Sequence, residues 1–312
     1  MALPIVQRIM PILFNCSQQS GLHRYQGEKL YLILRLKIRD CMYLLWLRVA
    51  AVLYGLASVS ALPAVLGDRP RWQRWCLPLA IGGWCFHIVA FVEMLAGAHR
   101  LMPVGMHEVQ STLALLIISA FLLIWMRYRT ISFGVFALPL AFLLILVPAI
   151  GPDKYTFSSS MVRSGWIVVH VTLLLAAYAA LIFSLLASLF YLVQERRLKN
   201  KEAPSFLEWL PPLDTMDQIA QTTLVLGFYC MTGGLLIGSL IAQEHVGAAY
   251  FLDPKVLLSF VMWVLYVVML FVRRSTGLRG RRAVYLSSAV FVVMLCVWAA
   301  NLFSSVHRFT TQ

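Results

Sequence analysis

The chain has 312 residues, of which 61% are hydrophobic and only 12% are charged, and its mean hydropathy is +0.79. A soluble domain has about 25% charged residues, so this composition excludes an ordinary soluble protein. The net charge is +13, but the basic residues lie between apolar segments rather than in one folded basic domain, which argues against nucleic-acid binding. We therefore predict an all-α, polytopic membrane protein surrounded by lipid.

Eight apolar segments are long enough to cross a hydrocarbon core of about 30 Å as helices. We place these predicted spans at residues 43–66, 75–97, 108–126, 131–150, 164–193, 219–242, 256–272 and 283–306. The fifth is longer than a bilayer requires and is expected to extend into the cytoplasm as QERRLKNK. The segment 197–216 contains Pro204, Pro211 and Pro212, and we predict a broken loop there rather than a helix.

The basic residues predict how these spans are oriented. The odd-numbered loops between them carry 14 lysines and arginines, whereas the even-numbered loops carry 4. Because basic loops are retained in the cytoplasm, the odd loops are predicted to be cytoplasmic, and the even loops and the C-terminus to be outside.

The first 41 residues conflict with this orientation, because they contain six basic residues yet would lie outside. Their apolar stretch MPILF is too short for a signal peptide. We consider two hypotheses, that the natural start is Met42 or that the tail folds back on the membrane surface. Residues 42–312 then form an eight-helix membrane domain.

The six cysteines show no CxxC or CxxCH spacing, which argues against a thioredoxin-like site and against covalent haem attachment to this chain. No HExxH-type spacing marks a zinc site, and no nucleophile–base pair suggests an enzyme. The histidines are more informative. His87 is expected near mid-membrane, and five of the seven histidines are expected toward the outer face, namely His99, His107, His170, His245 and His307.

Two of these outer histidines form a candidate metal site. His170 lies about two turns into the fifth span and His307 ends the eighth, so both could ligate one centre, and imidazole is a common ligand of haem iron. The alternative is that each histidine hydrogen-bonds a neighbouring helix. Arg163 and Arg308 are placed to meet anionic groups such as haem propionates, with anchoring of helix ends at the interface as the alternative.

Other polar or small residues within the spans have simpler interpretations. Arg48 is expected to extend toward the cytoplasm. Glu93 is near the outer end of the second span and is expected to pair with Arg100 or to sit in water. Gly234 and Gly238 form a GxxxG pattern, which more commonly marks close helix packing than function.

Three stretches resemble one known family. They are WIVVHVTLLLAAYAALIFSLLASLFYL at 166–192, LDTMDQIAQTTLVLGFYCMTGGLLIGSLIA at 213–242 and LRGRRAVYLSSAVFVVMLCVWAANLFSSVHRF at 278–309. In this order and spacing they resemble the spans of CcsA/CcmC-type cytochrome c assembly proteins. The stretch FHIVAFVEMLAGAHRLMPVGMHEVQSTLALL is similar to the family's early histidine span and the helix start after it. The resemblance covers most of residues 75–309.

The resemblance implies haem handling at the outer face of a membrane, in this case a bacterial plasma (inner) membrane. His170 and His307 match the family's two outer axial histidines, and His87 matches its first membrane histidine. The implied cofactor is haem, and the implied partners are apocytochrome c and other cytochrome c assembly proteins. The chain would then be at most a component of a haem attachment system rather than an enzyme in itself.

The chain departs from the family in the stretch FLDPKV, which occupies the place of a tryptophan-rich haem-presenting segment ending in Trp-Asp-Pro-Lys-Glu. Asp253, Pro254 and Lys255 remain. The expected aromatic, acidic and histidine residues are replaced by Ile241, Val246, Tyr250, Leu252, Val256 and Phe271. These differences make the chain similar to the HemX/YpjD-like branch. An alternative role for Asp253 is to begin the seventh span.

We therefore expect haem binding or relay in support of cytochrome c assembly. His170 and His307 would ligate iron, and Tyr250 and Phe251 would cover the ring, with Asp253 beside them. The alternative is a non-haem scaffold or regulator that acts through partner proteins. A small-molecule transporter is disfavoured because repeated halves and matched broken helices are missing from the sequence.

Overall fold

The structure is a computed structural model that describes residues 42–62, 70–97, 105–151, 155–157, 165–200, 210–245, 251–276, 281–299 and 309–311. Within these ranges the fold is helical, apart from two three-residue strands, which confirms the predicted all-α class. The elements in chain order are α1 (Met42–Leu62), α2 (Pro70–Gly97), α3 (Met106–Tyr128), α4 (Gly134–Ile150), β1 (Tyr155–Phe157), α5 (Gly165–Asn200), α6 (Leu213–His245), α7 (Pro254–Thr276), α8 (Arg281–Ala299) and β2 (Phe309–Thr311). The hypotheses about residues 1–41 concern a segment outside the described residues.

Six of these helices are long and apolar enough to cross a membrane, namely α1, α2, α3, α5, α6 and α7. The other two are also apolar but shorter, since α4 has 17 residues and the apolar part of α8 runs over Val284–Val297. A helix of about 17 residues is near the lower limit for spanning a bilayer. The eight predicted spans therefore all coincide with helices in the described part of the chain.

The prediction for 197–216 is wrong at both ends. Helix α5 continues through Asn200, and α6 begins at Leu213, six residues before the predicted span. Hydropathy marks only the part of a helix that lies in lipid, so the polar start of α6 was missed, whereas the polar end of α5 agrees with the predicted extension QERRLKNK. Pro212 directly precedes α6 and its carbonyl accepts the Met216 N–H at 3.1 Å, so the proline helps to begin the helix instead of breaking it.

Helix α5 lies at the centre of the packing. It makes its most extensive interface with α6 and also contacts α3 and α8. Its most apolar window is 67% buried, the highest value among the six long spans. The Ser184 hydroxyl on α5 donates to the Ala220 carbonyl of α6 at 3.0 Å, which adds a polar contact to this interface. With 36 residues, α5 is about 54 Å long and extends beyond the hydrocarbon core.

The two strands identify which helix ends lie together. β1, which follows α4, pairs antiparallel with β2, which follows α8, with Tyr155 opposite Thr311 and Phe157 opposite Phe309. The C-terminal ends of α4 and α8 therefore lie on one side, together with the N-terminal end of α5. We call this side the ribbon end. The predicted orientation assigns it to the outside, in agreement with the even loops and the C-terminus sharing one side.

Candidate functional site

His170 lies near the ribbon end, in the second turn of α5, where it packs directly on α6. Its Nδ1 atom is 2.7 Å from the Gly234 carbonyl oxygen. The imidazole ring lies over Gly238, where an added Cβ would be 2.6 Å from Nδ1. Gly234 similarly leaves room for Leu174, since a Cβ there would be 2.8 Å from Cδ2. The predicted GxxxG packing is confirmed, and the two glycines also form the seat of the imidazole.

The hydrogen bond to Gly234 determines the tautomer of a neutral His170. A carbonyl oxygen only accepts, so Nδ1 must carry the hydrogen and donate it. The lone pair is then on Nε2, and no described residue hydrogen-bonds that atom. Histidines that ligate metals are held in this way, with one ring N–H donated to a carbonyl and the other nitrogen on the metal. His170 therefore fits the role of a residue that would ligate a metal through Nε2.

Two polar residues at the start of α7, Asp253 and Lys255, lie at the same ribbon end as His170. The Asp253 side chain accepts the Lys255 N–H at 3.0 Å, and its carbonyl accepts the Leu257 N–H at 3.0 Å, so Asp253 caps α7. This confirms that Asp253 and Pro254 begin the seventh span. Lys255 lies in the first turn of α7 and is only partly exposed.

His87 lies in a separate, fully buried site between α1, α2 and α3. Its Nε2 atom is 2.9 Å from the Ser111 hydroxyl, and its Nδ1 atom is 3.3 Å from the Tyr54 hydroxyl. Both ring nitrogens are therefore engaged by side chains. Haem ligation by His87 stays a prediction, and it would require one of these two hydrogen bonds to break.

A small open cleft lies where the ribbon-end segments of α1 to α4 meet. It is lined by Tyr43, Leu47, Ala90, Phe91, Met94, His107, Glu108, Ser111, Pro148 and Gly151. His107 is held there by the Gly151 carbonyl, 3.4 Å from Nδ1. Of the outer histidines that the structure describes with their side chains, His107 thus belongs to the α1–α4 half and His170 to the α5–α6 interface.

Of two intramembrane charges, Arg48 differs from the sequence-based expectation, and Glu93 has a partner that the sequence did not identify. Arg48 extends toward the ribbon end, which the predicted orientation places outside, and not toward the cytoplasm. Its guanidinium donates to the carbonyls of Ala149 at 2.9 Å and Ile150 at 3.4 Å, because the last carbonyls of α4 lack helical partners and attract a cation. Glu93 accepts a hydrogen bond from Trp46 Nε1 at 3.2 Å, and its predicted partner Arg100 lies outside the described residues.

The family model described as Cytochrome C assembly protein matches residues 80–307, which is most of the chain. The chain belongs to this family. The match begins in α2, before His87, and runs through His170 to His307. This confirms the resemblance to CcsA/CcmC-type proteins that the spans carry, whereas assignment to the HemX/YpjD-like branch stays a prediction.

Curated relatives of the family are similar to parts of the chain. The cytochrome c biogenesis protein CcsA of one strain of Prochlorococcus marinus is 30% identical over 177 residues, covering 48% of this chain and 56% of the relative. The CcsA protein of Prochlorococcus marinus (strain MIT 9515) is 30% identical over 204 residues, with 58% and 65% covered. That of Synechococcus sp. (strain CC9902) is 30% identical over 176 residues, with 48% and 58% covered. The chain thus spans less than two thirds of the length of these relatives.

The structure describes only part of the predicted site. The structure places His170, His87 and Asp253, whereas His307, Arg163, Arg308 and Tyr250 lie outside the described residues. Sequence reasoning missed the role of Gly238 beneath His170, because a GxxxG pattern does not show which side chain of the neighbouring helix lies over the glycines.

Proposed function

We propose that this cytochrome c assembly family member binds or relays haem at the ribbon end, in support of cytochrome c biogenesis at the outer face of a bacterial plasma membrane. The hydrogen bond from His170 Nδ1 to the Gly234 carbonyl carries the proposal, because it fixes the ring and leaves Nε2 for a metal. When bound, haem would supply an iron centre that imidazole nitrogens can ligate.

His307 is proposed as the second histidine that would hold the haem iron. The support comes from the ribbon, because β2 begins two residues after His307 and pairs with β1, the strand that leads into α5. Arg163 and Arg308 are proposed to receive the propionates. Arg308 directly precedes Phe309, which pairs with Phe157.

The loop before α7 is proposed to cover the bound ring. Phe251 contributes an exposed aromatic side chain, whose ring centroid is 6.4 Å from that of Phe260. Tyr250 is the proposed second cover. At the position where the resembled segment has a tryptophan, Leu252 is 78% exposed and offers no aromatic surface. A haem ring contacted by so few aromatic side chains would dissociate readily. This favours relay to partners such as apocytochrome c or other assembly proteins over permanent storage.

The absorption spectrum of the purified protein in mild detergent tests the proposal. We expect a bis-histidine haem spectrum that is lost in a His170→Ala/His307→Ala variant. His107→Ala is the matched control, because it removes another histidine at the ribbon end without touching α6, and it should leave the spectrum unchanged. A well-folded protein that stays colourless when supplied with haem would overturn the proposal.

The exposed Leu252 and the 70% exposed Phe271 favour a second candidate, a non-haem scaffold or regulator that acts through partner proteins. Both residues occupy positions where the resembled family has haem-contacting residues. A colourless protein that still co-purifies with cytochrome c assembly proteins would support this candidate. Haem flux into proteoliposomes would instead support transport.

A further inference from the structure

Two arginines at the end of α3 lie on aromatic rings, on the side of the molecule opposite the ribbon end. The guanidinium carbon of Arg127 is 5.4 Å from the centroid of the Tyr128 ring, and that of Arg129 is 5.2 Å from the centroid of the Trp125 ring. With 23 residues, α3 is about 34 Å long, so its last turn reaches the surface of a hydrocarbon core about 30 Å thick. The two guanidinium groups therefore lie at the depth of lipid headgroups.

The backbone and a neighbouring helix hold these side chains in place. Arg129 caps α3 in the left-handed conformation, with a φ of 55°, and its N–H donates to the Trp125 carbonyl at 2.8 Å. Glycine is the residue that usually takes this position, yet here an arginine takes it and lies back over Trp125. The Tyr128 hydroxyl is 3.4 Å from Thr222 Oγ1 on α6, so the ring beneath Arg127 is held from both helices.

The charges of the two arginines are not neutralised within the described part of the protein. Both side chains are exposed, and neither forms an ion pair or a side-chain hydrogen bond with a described residue. By contrast, Arg273 at the same end is paired with Asp217. Because a guanidinium group carries five N–H donors and accepts nothing, both groups are available to an anion that approaches from outside.

Apolar side chains lie directly beside these cations on the lipid-facing surface of α3. Leu123 lies four residues before Arg127, and Met126 lies three residues before Arg129, so each apolar residue shares a helix face with one arginine. The two side chains are 62% and 61% exposed. A ligand that fits this surface has an anionic head and apolar tails, which favours a phospholipid over a soluble phosphate.

We propose that the end of α3 is a binding site for an anionic phospholipid of the surrounding membrane. Arg127 and Arg129 receive its phosphate through charge-assisted hydrogen bonds, and its acyl chains run along Leu123 and Met126. The rings of Trp125 and Tyr128 hold the guanidinium groups ready for it.

The lipid site is at the opposite end of the molecule from His170. It goes beyond the proposed function and does not depend on it, so its test needs no haem.

Titration of the detergent-purified full-length protein with phosphatidylglycerol or phosphatidylcholine, followed by native mass spectrometry, tests the proposal. We expect the first phosphatidylglycerol to bind about ten-fold or more tightly than the first phosphatidylcholine, since two basic residues each favour an anionic lipid several-fold. The variant Arg127→Gln/Arg129→Gly should bind both lipids equally. Glycine suits the left-handed backbone at position 129, so this variant keeps the end of α3 intact.

Arg196→Gln/Arg274→Gln is the matched control. It removes two exposed arginines at the same side of the molecule, and neither lies over an aromatic ring of a described residue. The control should keep the preference for phosphatidylglycerol.

Equal affinities for the two lipids in wild-type protein would overturn the proposal, and this comparison needs no variant to fold. A preference that survives in Arg127→Gln/Arg129→Gly would also overturn it. An equal loss in the control would show general attraction by a basic surface instead of a site at α3. Displacement of the bound lipid by glycerol 3-phosphate, which has the charge without acyl chains, would overturn the assignment to a phospholipid.

Discussion

Because Gly238 has no side chain, the imidazole ring of His170 can lie directly against helix α6. The ring of His170 occupies the space that a Cβ on Gly238 would fill, and the carbonyl of Gly234, one turn earlier, holds Nδ1. The two glycines thus have two roles. They allow α5 and α6 to approach closely, and they make room for the polar ring of His170 between the helices. A GxxxG pattern in the sequence does not distinguish these roles.

We expect Gly238→Ala to displace the His170 ring. The new methyl group would overlap the imidazole, which costs about 1–3 kcal/mol of overpacking and misdirects Nε2. Thermal unfolding in detergent should show reduced stability, and any haem spectrum should be weakened. Gly233→Ala is the control, because its Cβ would meet Leu173 Cδ1 at an acceptable 3.4 Å. Equal effects of both substitutions would contradict the seating of His170 by Gly238.

His87 gives a second prediction at the residue scale. Its removal leaves the hydroxyls of Tyr54 and Ser111 buried without this partner, at a cost of about 1–3 kcal/mol each. His87→Leu should therefore lower the midpoint of thermal unfolding, whereas His107→Leu, at the open cleft, should lower it less. If haem is bound at the ribbon end alone, the absorption spectrum of His87→Leu should match wild type. A changed spectrum would instead support the prediction that His87 is a haem ligand.

At the scale of elements, polar contacts fix the helices at both ends. At the ribbon end, Arg48 of α1 binds the last carbonyls of α4. At the opposite end, Arg273 of α7 forms an ion pair with Asp217 of α6 and also donates to the Asp217 carbonyl at 3.0 Å. The side chains of this pair are only 8% and 13% exposed. The pair therefore fixes the register of α6 and α7 far from His170.

The ion pair predicts strong coupling between the two residues. Arg273→Met or Asp217→Asn alone should destabilise the protein by about 3–5 kcal/mol, because each leaves its partner buried without a counter-charge. The double variant should be less destabilised than the sum of the two. A double-mutant cycle on unfolding free energies measures this coupling, and strictly additive effects would show that the pair is not a unit.

At the scale of the whole molecule, the pairing of β1 with β2 requires the segments after α4 and after α8 to share one side. Combined with the distribution of basic loops, this predicts that Leu252 faces outside and Lys199 faces the cytoplasm. Both side chains are exposed, at 78% and 72%.

We expect a membrane-impermeant maleimide to label Leu252→Cys in intact cells and Lys199→Cys only after lysis. The six native cysteines would first be replaced by alanine so that each variant carries one thiol. The opposite labelling pattern would reverse the orientation and place the ribbon end in the cytoplasm.

Much of the architecture was predictable because the hydropathy and length of a segment indicate whether it can cross a lipid bilayer. This inference needs no knowledge of the neighbouring segments. The eight helices follow from that signal, whereas the family follows from the order and spacing of the three resembling stretches. The polar extension of α5 to Asn200 was predicted from the length of the span, whereas the start of α6 at Leu213 was missed because this turn lies outside the apolar window. The partners of His87 and His170 depend on which helix faces which, and periodicity within one helix does not specify its neighbour.

The β1–β2 ribbon also constrains the timing of biogenesis. Its two strands are separated by α5, α6, α7 and α8, so β1 has no partner until all four helices have been synthesised and α8 has been inserted. Closing so long a loop is slow compared with local helix formation. The ribbon end is consequently among the last parts of the molecule to mature, and a chain arrested before α8 would display α5 with its proposed ligand His170 but without the strand that completes this surface.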